Sequence, residues 1–318
     1  MKTNKIFKFL FIALLFQEST MIAQTIKTNH IKANGYDFTY LEAGTGQMIM
    51  FLHGFPDNPY SFKSQILALA KAGYHSVAPY KRGFTPNDTI VNPIQHSSTY
   101  TQDVVALIDA FKEKQVILVG HDWGAGAAYG VSKYAPEKVK ALITMAVPLS
   151  PAFFTSYTDN LKQMKRSWYL FFFQSPYAYD AFKKNDYAII DTMWRDWCPD
   201  WKDFSAEIKT VKETYRKPGS AECAVNYYRQ SFGNYDLIDP ELQKIGAAFS
   251  DGKPFSVPTL YLHGANDGCI GAENVEGMQY LFSNKFEKHI IPNAGHFVQM
   301  EKPEIVSTYF LEFLKNIK

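Results

Sequence analysis

Asp122, Asp267 and His296 follow one another along the chain as carboxylate, carboxylate and imidazole. Asp122 sits in Gly120-His121-Asp122-Trp123-Gly124, between the aliphatic run Val116–Val119 and the small residues Ala125–Ala128. Aliphatic run, tight glycine-flanked turn and helix-tolerant run are the layout of a nucleophile elbow, G-x-S-x-G, with aspartate in the serine position. The replacement changes the chemistry. A carboxylate attacks acyl carbon poorly, but it displaces a leaving group from saturated carbon and leaves an ester on the enzyme for water to hydrolyse. Such an ester needs a base to activate water and an acid to orient that base, roles that suit His296 and Asp267. Its hydrolysis builds negative charge on the Asp122 carboxyl, and two backbone N–H groups must meet it. The amide after the nucleophile, at Trp123, is one candidate. Phe55, in His53-Gly54-Phe55-Pro56, is the other. Taken alone, Asp122 also suits an ordinary helix N-cap, and the Phe55 loop also suits a plain Gly-Pro turn.

These residues need a scaffold that gathers them, and the elements around them form one. His30–Glu42 reads as a hairpin about Asn34-Gly35. Buried strands are predicted at Met48–Leu52, His75–Tyr80, Val116–Val119, Val139–Val147, Thr259–Gly264 and Lys288–Ile291. Helices are predicted at Ser61–Ala72, Thr101–Phe111, after the elbow, and at Pro303–Leu314. Alternating strands and helices predict an α/β fold with a mostly parallel, doubly wound sheet. Ligands bind such sheets at the carboxyl ends of their strands, where Asp122, Asp267 and His296 all fall. The alternation breaks from 151 to 250, a stretch of helix-like segments crowded with Trp, Tyr and Phe. The expected organisation is therefore a core of residues 24–150 and 251–318 interrupted by a helical cap at 151–250.

Composition bounds the rest. A chain of 318 residues with a net charge of +2 offers no electrostatic case for nucleic acid. Aromatic residues make up 16% and gather between 153 and 235, so that segment is expected to line something apolar. Residues 1–23 read as a secretory signal peptide: a basic start at Lys2, Lys5 and Lys8, an apolar run Phe7–Phe16, and a small residue at Ala23. That run is too short to span a bilayer, and no longer one follows, so no stable span is expected in the mature protein. Of Cys198, Cys223 and Cys269, the first two are the better placed to pair if export permits a disulfide, and three buried free thiols are the other reading. No Cys/His spacing suggests a metal site, and no cofactor is expected. His75, His96, His121, His263 and His289 have no partner pattern and read as structural.

The chain resembles the α/β-hydrolase superfamily, and within it the epoxide hydrolases, from about His30 to its C-terminus. The resemblance rests on HGFP at His53–Pro56, GHDWGA at Gly120–Ala125, Asp267, and GHF at Gly295–Phe297. It implies a cis Phe55–Pro56 bond. It also implies that Tyr169, in Trp168–Gln174, and Tyr228, in Asn226–Arg229, are the two cap tyrosines that grip an epoxide oxygen. Phenols suit that task, because ring opening releases an alkoxide that needs a proton donor. The implied substrate is an apolar epoxide, styrene-like or fatty-acid-like, contacted by Phe55, Trp123, Tyr169 and Tyr228, with water as the second reactant. Tyr80-Lys81-Arg82-Gly83-Phe84 departs from the family, whose members often carry an Asp and an aromatic-Gly pair there.

Other readings remain open on sequence. The elbow is shared with haloalkane dehalogenases, which hold the departing halide with the Trp after the nucleophile and either a cap Trp or an Asn after His-Gly. Trp123 and cap tryptophans Trp168, Trp194, Trp197 and Trp201 are present, but position 55 is Phe. A fluoroacetate-type dehalogenase would carry Arg at 123. A binding protein that has kept the fold without turnover is a reading of another class. An esterase lacks its serine. We expect the native host to export the protein with Gln24 at or near its new N-terminus. Fractionation followed by intact mass measurement tests this, and a full-length cytoplasmic species would overturn it.

Overall fold

The structure is a computed structural model that describes residues 25–84 and 94–317. The expected signal segment lies outside the described residues. Eight strands form one sheet: β1 (Lys27–Ala33), β2 (Tyr36–Ala43), β3 (Met48–Leu52), β4 (His75–Pro79), β5 (Val116–His121), β6 (Val139–Met145), β7 (Thr259–Gly264) and β8 (Phe286–Ile291). Their order is β1-β2-β4-β3-β5-β6-β7-β8. The β1–β2 and β2–β4 pairings are antiparallel. All others are parallel. Asn34 and Gly35 both take positive φ and turn the first hairpin, the backbone that a two-residue turn between twisted strands demands.

The continuous apolar runs have a simple cause. Every residue of β3, β5 and β7 is buried, because helices cover both faces of a parallel sheet. Ile49, Phe51, Ile117 and Val119 face a layer that includes Phe310 and Phe313. Met48, Met50, Leu52 and Leu118 face the other layer, which runs on into the aromatic side chains of residues 153–228. Each such side chain contributes about 1.5–3 kcal/mol on burial.

Element ends differ from expectation where local capping decides them. The helix predicted from Thr101 starts at Ser97, since the His96 side chain accepts the Ser98 N–H at 3.1 Å. The helix predicted from Ser61 starts at Lys63, after a 3-10 turn at Pro59–Phe62. β8 begins at Phe286, two residues before the predicted strand. Cys198, Cys223 and Cys269 are buried free thiols, with no Cys198–Cys223 bridge. No helix among the described residues is long and apolar enough to cross a membrane.

Between β6 and β7 the chain runs through the helices Pro151–Asp159, Leu161–Arg166, Trp168–Phe172, Ala178–Trp197, Ser205–Tyr215, Ser220–Phe232 and Pro240–Phe249, the fourth broken by non-helical backbone from Lys184 to Tyr187. The last of them packs on the helices Ser97–Ala110 and Trp123–Tyr134, which flank the sheet. Others lie over the carboxyl ends of the strands. The Trp194 indole N–H donates to the Pro56 carbonyl at 3.0 Å. The Trp197 carbonyl, at the end of its helix, accepts N–H groups from both Gly268 (3.1 Å) and His296 (3.0 Å).

Candidate active site

β5 delivers Asp122 at the start of the helix Trp123–Tyr134 with φ 52° and ψ −120°. A non-glycine residue held there costs about 1–3 kcal/mol, and such strain persists only where its surroundings enforce it. Tight packing enforces it here. A Cβ on Gly124 would lie 1.8 Å from the Leu52 carbonyl oxygen, and one on Gly54 would lie 2.3 Å from Asp122 Oδ1. The elbow is thus pressed against the end of β3 and the loop after it. That loop contains a cis Phe55–Pro56 peptide, and the Phe55 N–H donates to Asp122 Oδ1 at 2.7 Å. The Trp123 amide opens the helix, so the helix itself supplies it no acceptor.

The other two residues arrive on the loops after β7 and β8. His296 Nδ1 bonds Asp267 Oδ2 at 2.9 Å, and His296 Nε2 lies 3.6 Å from Asp122 Oδ2. All three side chains are buried. Asp267 Oδ1 accepts the Cys269 and Ile270 amides at 2.7 and 2.9 Å, which fixes the carboxylate. Burial works against charge on His296, but Cys269, Asp267 and Asp122 around it hold the imidazolium well above the usual histidine range. Burial likewise pushes Asp267 up, and its bond to His296 pulls it below the ordinary carboxyl value.

Tyr169 and Tyr228 come from different helices and meet edge to face, with centroids 5.4 Å apart. The Tyr228 ring also lies 5.2 Å from Phe55 and 5.0 Å from Trp123. The Tyr169 hydroxyl pairs with Cys269 Sγ at 3.3 Å. The Tyr228 hydroxyl and the Trp123 indole N–H are buried without a hydrogen-bond partner among the described residues. Burial raises both phenols well above their ordinary pKa, so both keep their protons. Phe55 and Phe173 pack on Tyr228, and Phe182 packs on both of them, so the surroundings of Tyr228 are apolar.

Several contributors were not visible in the sequence. His121 and His263 were read as structural, yet each braces the site. His121 Nε2 bonds the His296 carbonyl at 2.9 Å, and His263 spans Tyr261 (2.6 Å) and the Ile270 carbonyl (2.9 Å) behind Asp267. Burial lowers His121 to about 3, so it is neutral. Lys81, in the loop that departs from the family, is buried beside the site. It bonds the Gln95 side chain and lies 5.2 and 4.9 Å from the Trp123 and Tyr227 rings. Burial lowers its amine to about 7. Asp267, Cys269 and His296 offer three metal-ligand atoms within 4.8 Å of one another. The Asp267 and His296 atoms are already spent on their mutual bond and on loop amides, an arrangement suited to proton transfer.

Comparison with known proteins agrees with this geometry. Residues 47–303 match the model of the family described as alpha/beta hydrolase fold. The chain belongs to that family. Mouse epoxide hydrolase 3 is 27% identical over 314 residues, covering 94% of this chain and 80% of the mouse protein. A solved structure from Klebsiella pneumoniae superposes with a TM-score of 0.82 at 25% identity, covering 90% of this chain and 97% of that one. A Vigna radiata epoxide hydrolase mutant does so with a TM-score of 0.76 at 25% identity, covering 92% and 99%.

Asp57, two residues beyond Phe55, yields a stability prediction. Burial pushes its carboxyl from 3.8 up to about 7. A carboxyl whose folded pKa is raised binds more protons folded than unfolded, so the protein loses stability as pH rises between those two values. The full loss is on the order of 4 kcal/mol at 1.36 kcal/mol per pKa unit. Asp57→Asn removes that dependence. Its urea midpoint relative to the parent is expected to rise between pH 5 and pH 8, and a pH-independent difference would contradict the assignment.

Proposed function

We propose that this protein is an epoxide hydrolase, opening an apolar epoxide to a vicinal diol through a covalent ester on Asp122. The observation that carries this reading is the pair of buried phenols, Tyr169 and Tyr228, meeting beside a buried carboxylate at a nucleophile elbow. The relatives named epoxide hydrolase support the reaction class.

The chemistry follows from the distances. Asp122 Oδ1 rests on the Phe55 N–H, which leaves Oδ2 to attack an epoxide carbon. The C–O bond of the ring breaks, and the alkoxide takes a proton from a tyrosine hydroxyl. Esterification removes the Asp122 charge, and the His296 imidazolium passes its extra proton to the tyrosinate. Water then loses a proton to the neutral His296 Nε2 and adds to Asp122 Cγ. Negative charge collects on Oδ1, against the Phe55 and Trp123 amides. Collapse of this intermediate expels the diol oxygen, which takes the proton held by His296. The new carboxyl proton passes to His296, and the enzyme is restored. Asp267 stabilises the imidazolium throughout.

The haloalkane dehalogenase reading has one observation in its favour, the unpartnered Trp123 indole N–H. Against it, Trp194 spends its own indole N–H on the Pro56 carbonyl, and the two phenols have no task in halide release. A binding protein without turnover would not need a histidine poised between two carboxylates.

The origin of the diol oxygen tests the central step. In one turnover with excess enzyme in heavy-oxygen water, the diol is expected to be unlabelled and Asp122 labelled. Label in the first-turnover diol, with none in Asp122, would overturn the covalent mechanism. The tyrosines make a separate prediction. Tyr169→Phe and Tyr228→Phe are each expected to slow alkylation of Asp122, by about 100-fold or more if general acid catalysis is lost. The double variant should nearly abolish it, less than multiplicatively. Rapid-quench mass measurement reads this, and near-parental rates in the folded double variant would remove the tyrosines from the mechanism.

A further inference from the structure

The loop after Phe55 carries polar groups that the reaction above leaves unused. Asp57 is buried, with Oδ1 accepting the Asn58 N–H at 2.7 Å; Oδ2 closes no hydrogen bond among the described residues, although the nearby Ser61 hydroxyl interacts with the carboxyl and lowers its pKa. His121 Nδ1, also unpartnered, lies 3.9 Å from Asp57 Oδ2. On the other side of His121, its ring centroid is 4.9 Å from that of His296. Asp57 also borders a cleft of about 370 Å³, lined by the loop around Asn58–Ser64, the helix Ser205–Tyr215, Trp194 and residues 299–300. Ser61 Oγ and both amide atoms of Gln299 line its wall, again buried and closing no hydrogen bond among the described residues. Ser64 and Ala206 stand exposed at its rim.

Each buried polar atom without a partner costs about 1–3 kcal/mol. Five atoms that close no hydrogen bond, two of them on the neighbouring Ser61 and Asp57, run from the cleft towards His296 and mark a path that water can satisfy, since a polar separation beyond about 3.5 Å is where a bridging water is expected. A polar, roomy cavity holds water, whereas an apolar one stays dry. The contrast with the enclosure around Tyr228 matters here. Phe55, Trp123 and Phe173 pack on Tyr228 there, so the side of Asp122 that faces the phenols is apolar. Hydrolysis still consumes one water per turnover at Asp122 Cγ.

We propose that the cleft between the Asn58–Ser64 loop and the helix Ser205–Tyr215 is the water inlet of the enzyme, feeding Asp122 and His296 past Gln299, Ser61, Asp57 and His121 while the substrate occupies the apolar enclosure. This rests on the covalent mechanism proposed above. The carboxyl of Asp57, pushed up to about 7 by burial, and the neutral His121 keep the path weakly charged, so it passes water without fixing ions.

The two half-reactions separate under rapid quench with intact mass detection. Ala206→Trp narrows the rim, and Gln299→Leu makes the wall apolar at nearly constant volume. Both variants are expected to alkylate Asp122 within about twofold of the parent rate. Both should hydrolyse the ester at least tenfold more slowly, so that the adduct dominates the steady state. Parental hydrolysis rates in both variants, each with a parental melting temperature, would overturn the inlet. Slowed alkylation with unchanged hydrolysis would overturn it too, and would make the cleft a substrate entrance. If one variant fails to fold, the other decides. A parent enzyme that never carries an Asp122 ester would overturn the covalent mechanism itself, and the inlet with it, an outcome distinct from rapid hydrolysis in the variants.

Discussion

An imidazole buried between two carboxylates sets the terms for the rest of this structure. His296 lies 2.9 Å from Asp267 and 3.6 Å from Asp122. In so enclosed a place, charges interact far more strongly than they do in water. With both carboxylates ionised, the imidazolium is favoured, and a charged histidine cannot accept a proton from water. In the mechanism proposed above, esterification would remove the charge of Asp122. The imidazolium would then keep only Asp267, and the balance would move towards the neutral base. The proposed nucleophile, by reacting, would ready its own hydrolysis.

Such an array demands rigid supports, and the fold supplies them unevenly. Strand ends of a buried parallel sheet set the three loops. The elbow is squeezed between the Leu52 carbonyl and its own helix. His121 and His263 tie the histidine and acid loops from behind. These braces use neutral, fully bonded or nearly bonded groups, so they position the charges without competing with them.

Much of this was legible in the sequence, for physical reasons. The sheet showed itself through continuous apolar runs, because parallel strands are buried on both faces. The elbow showed itself because its tight packing leaves room only for small residues at Gly120 and Gly124. The ends of elements were less legible. The helix at Ser97–Ala110 starts four residues before its predicted first residue, since a histidine cap leaves no familiar sequence signature. The bracing roles of His121 and His263 depend on partners far away in the chain, at His296 and Ile270, and on exact ring orientation. Asp57 stood next to the recognised His53–Pro56 motif, so proximity alone was a usable signal there. The free cysteines follow from packing, which brings each thiol into the core without presenting it to another.

The Trp197 carbonyl accepts N–H groups from both the acid loop and the histidine loop. A single peptide oxygen from the helical layer therefore sets the spacing between the loops that bear Asp267 and His296. This has a bearing on ancestry and engineering. Cap segments of this fold could be exchanged freely if they only roofed the substrate. Here one helix end is a structural member of the Asp267–His296 site, so a transplanted cap would need a helix terminating at the same point to keep those two loops in register. Diversification of the cap is thereby steered towards its remaining helices, where substrate contacts can vary while the Trp197 carbonyl stays in place.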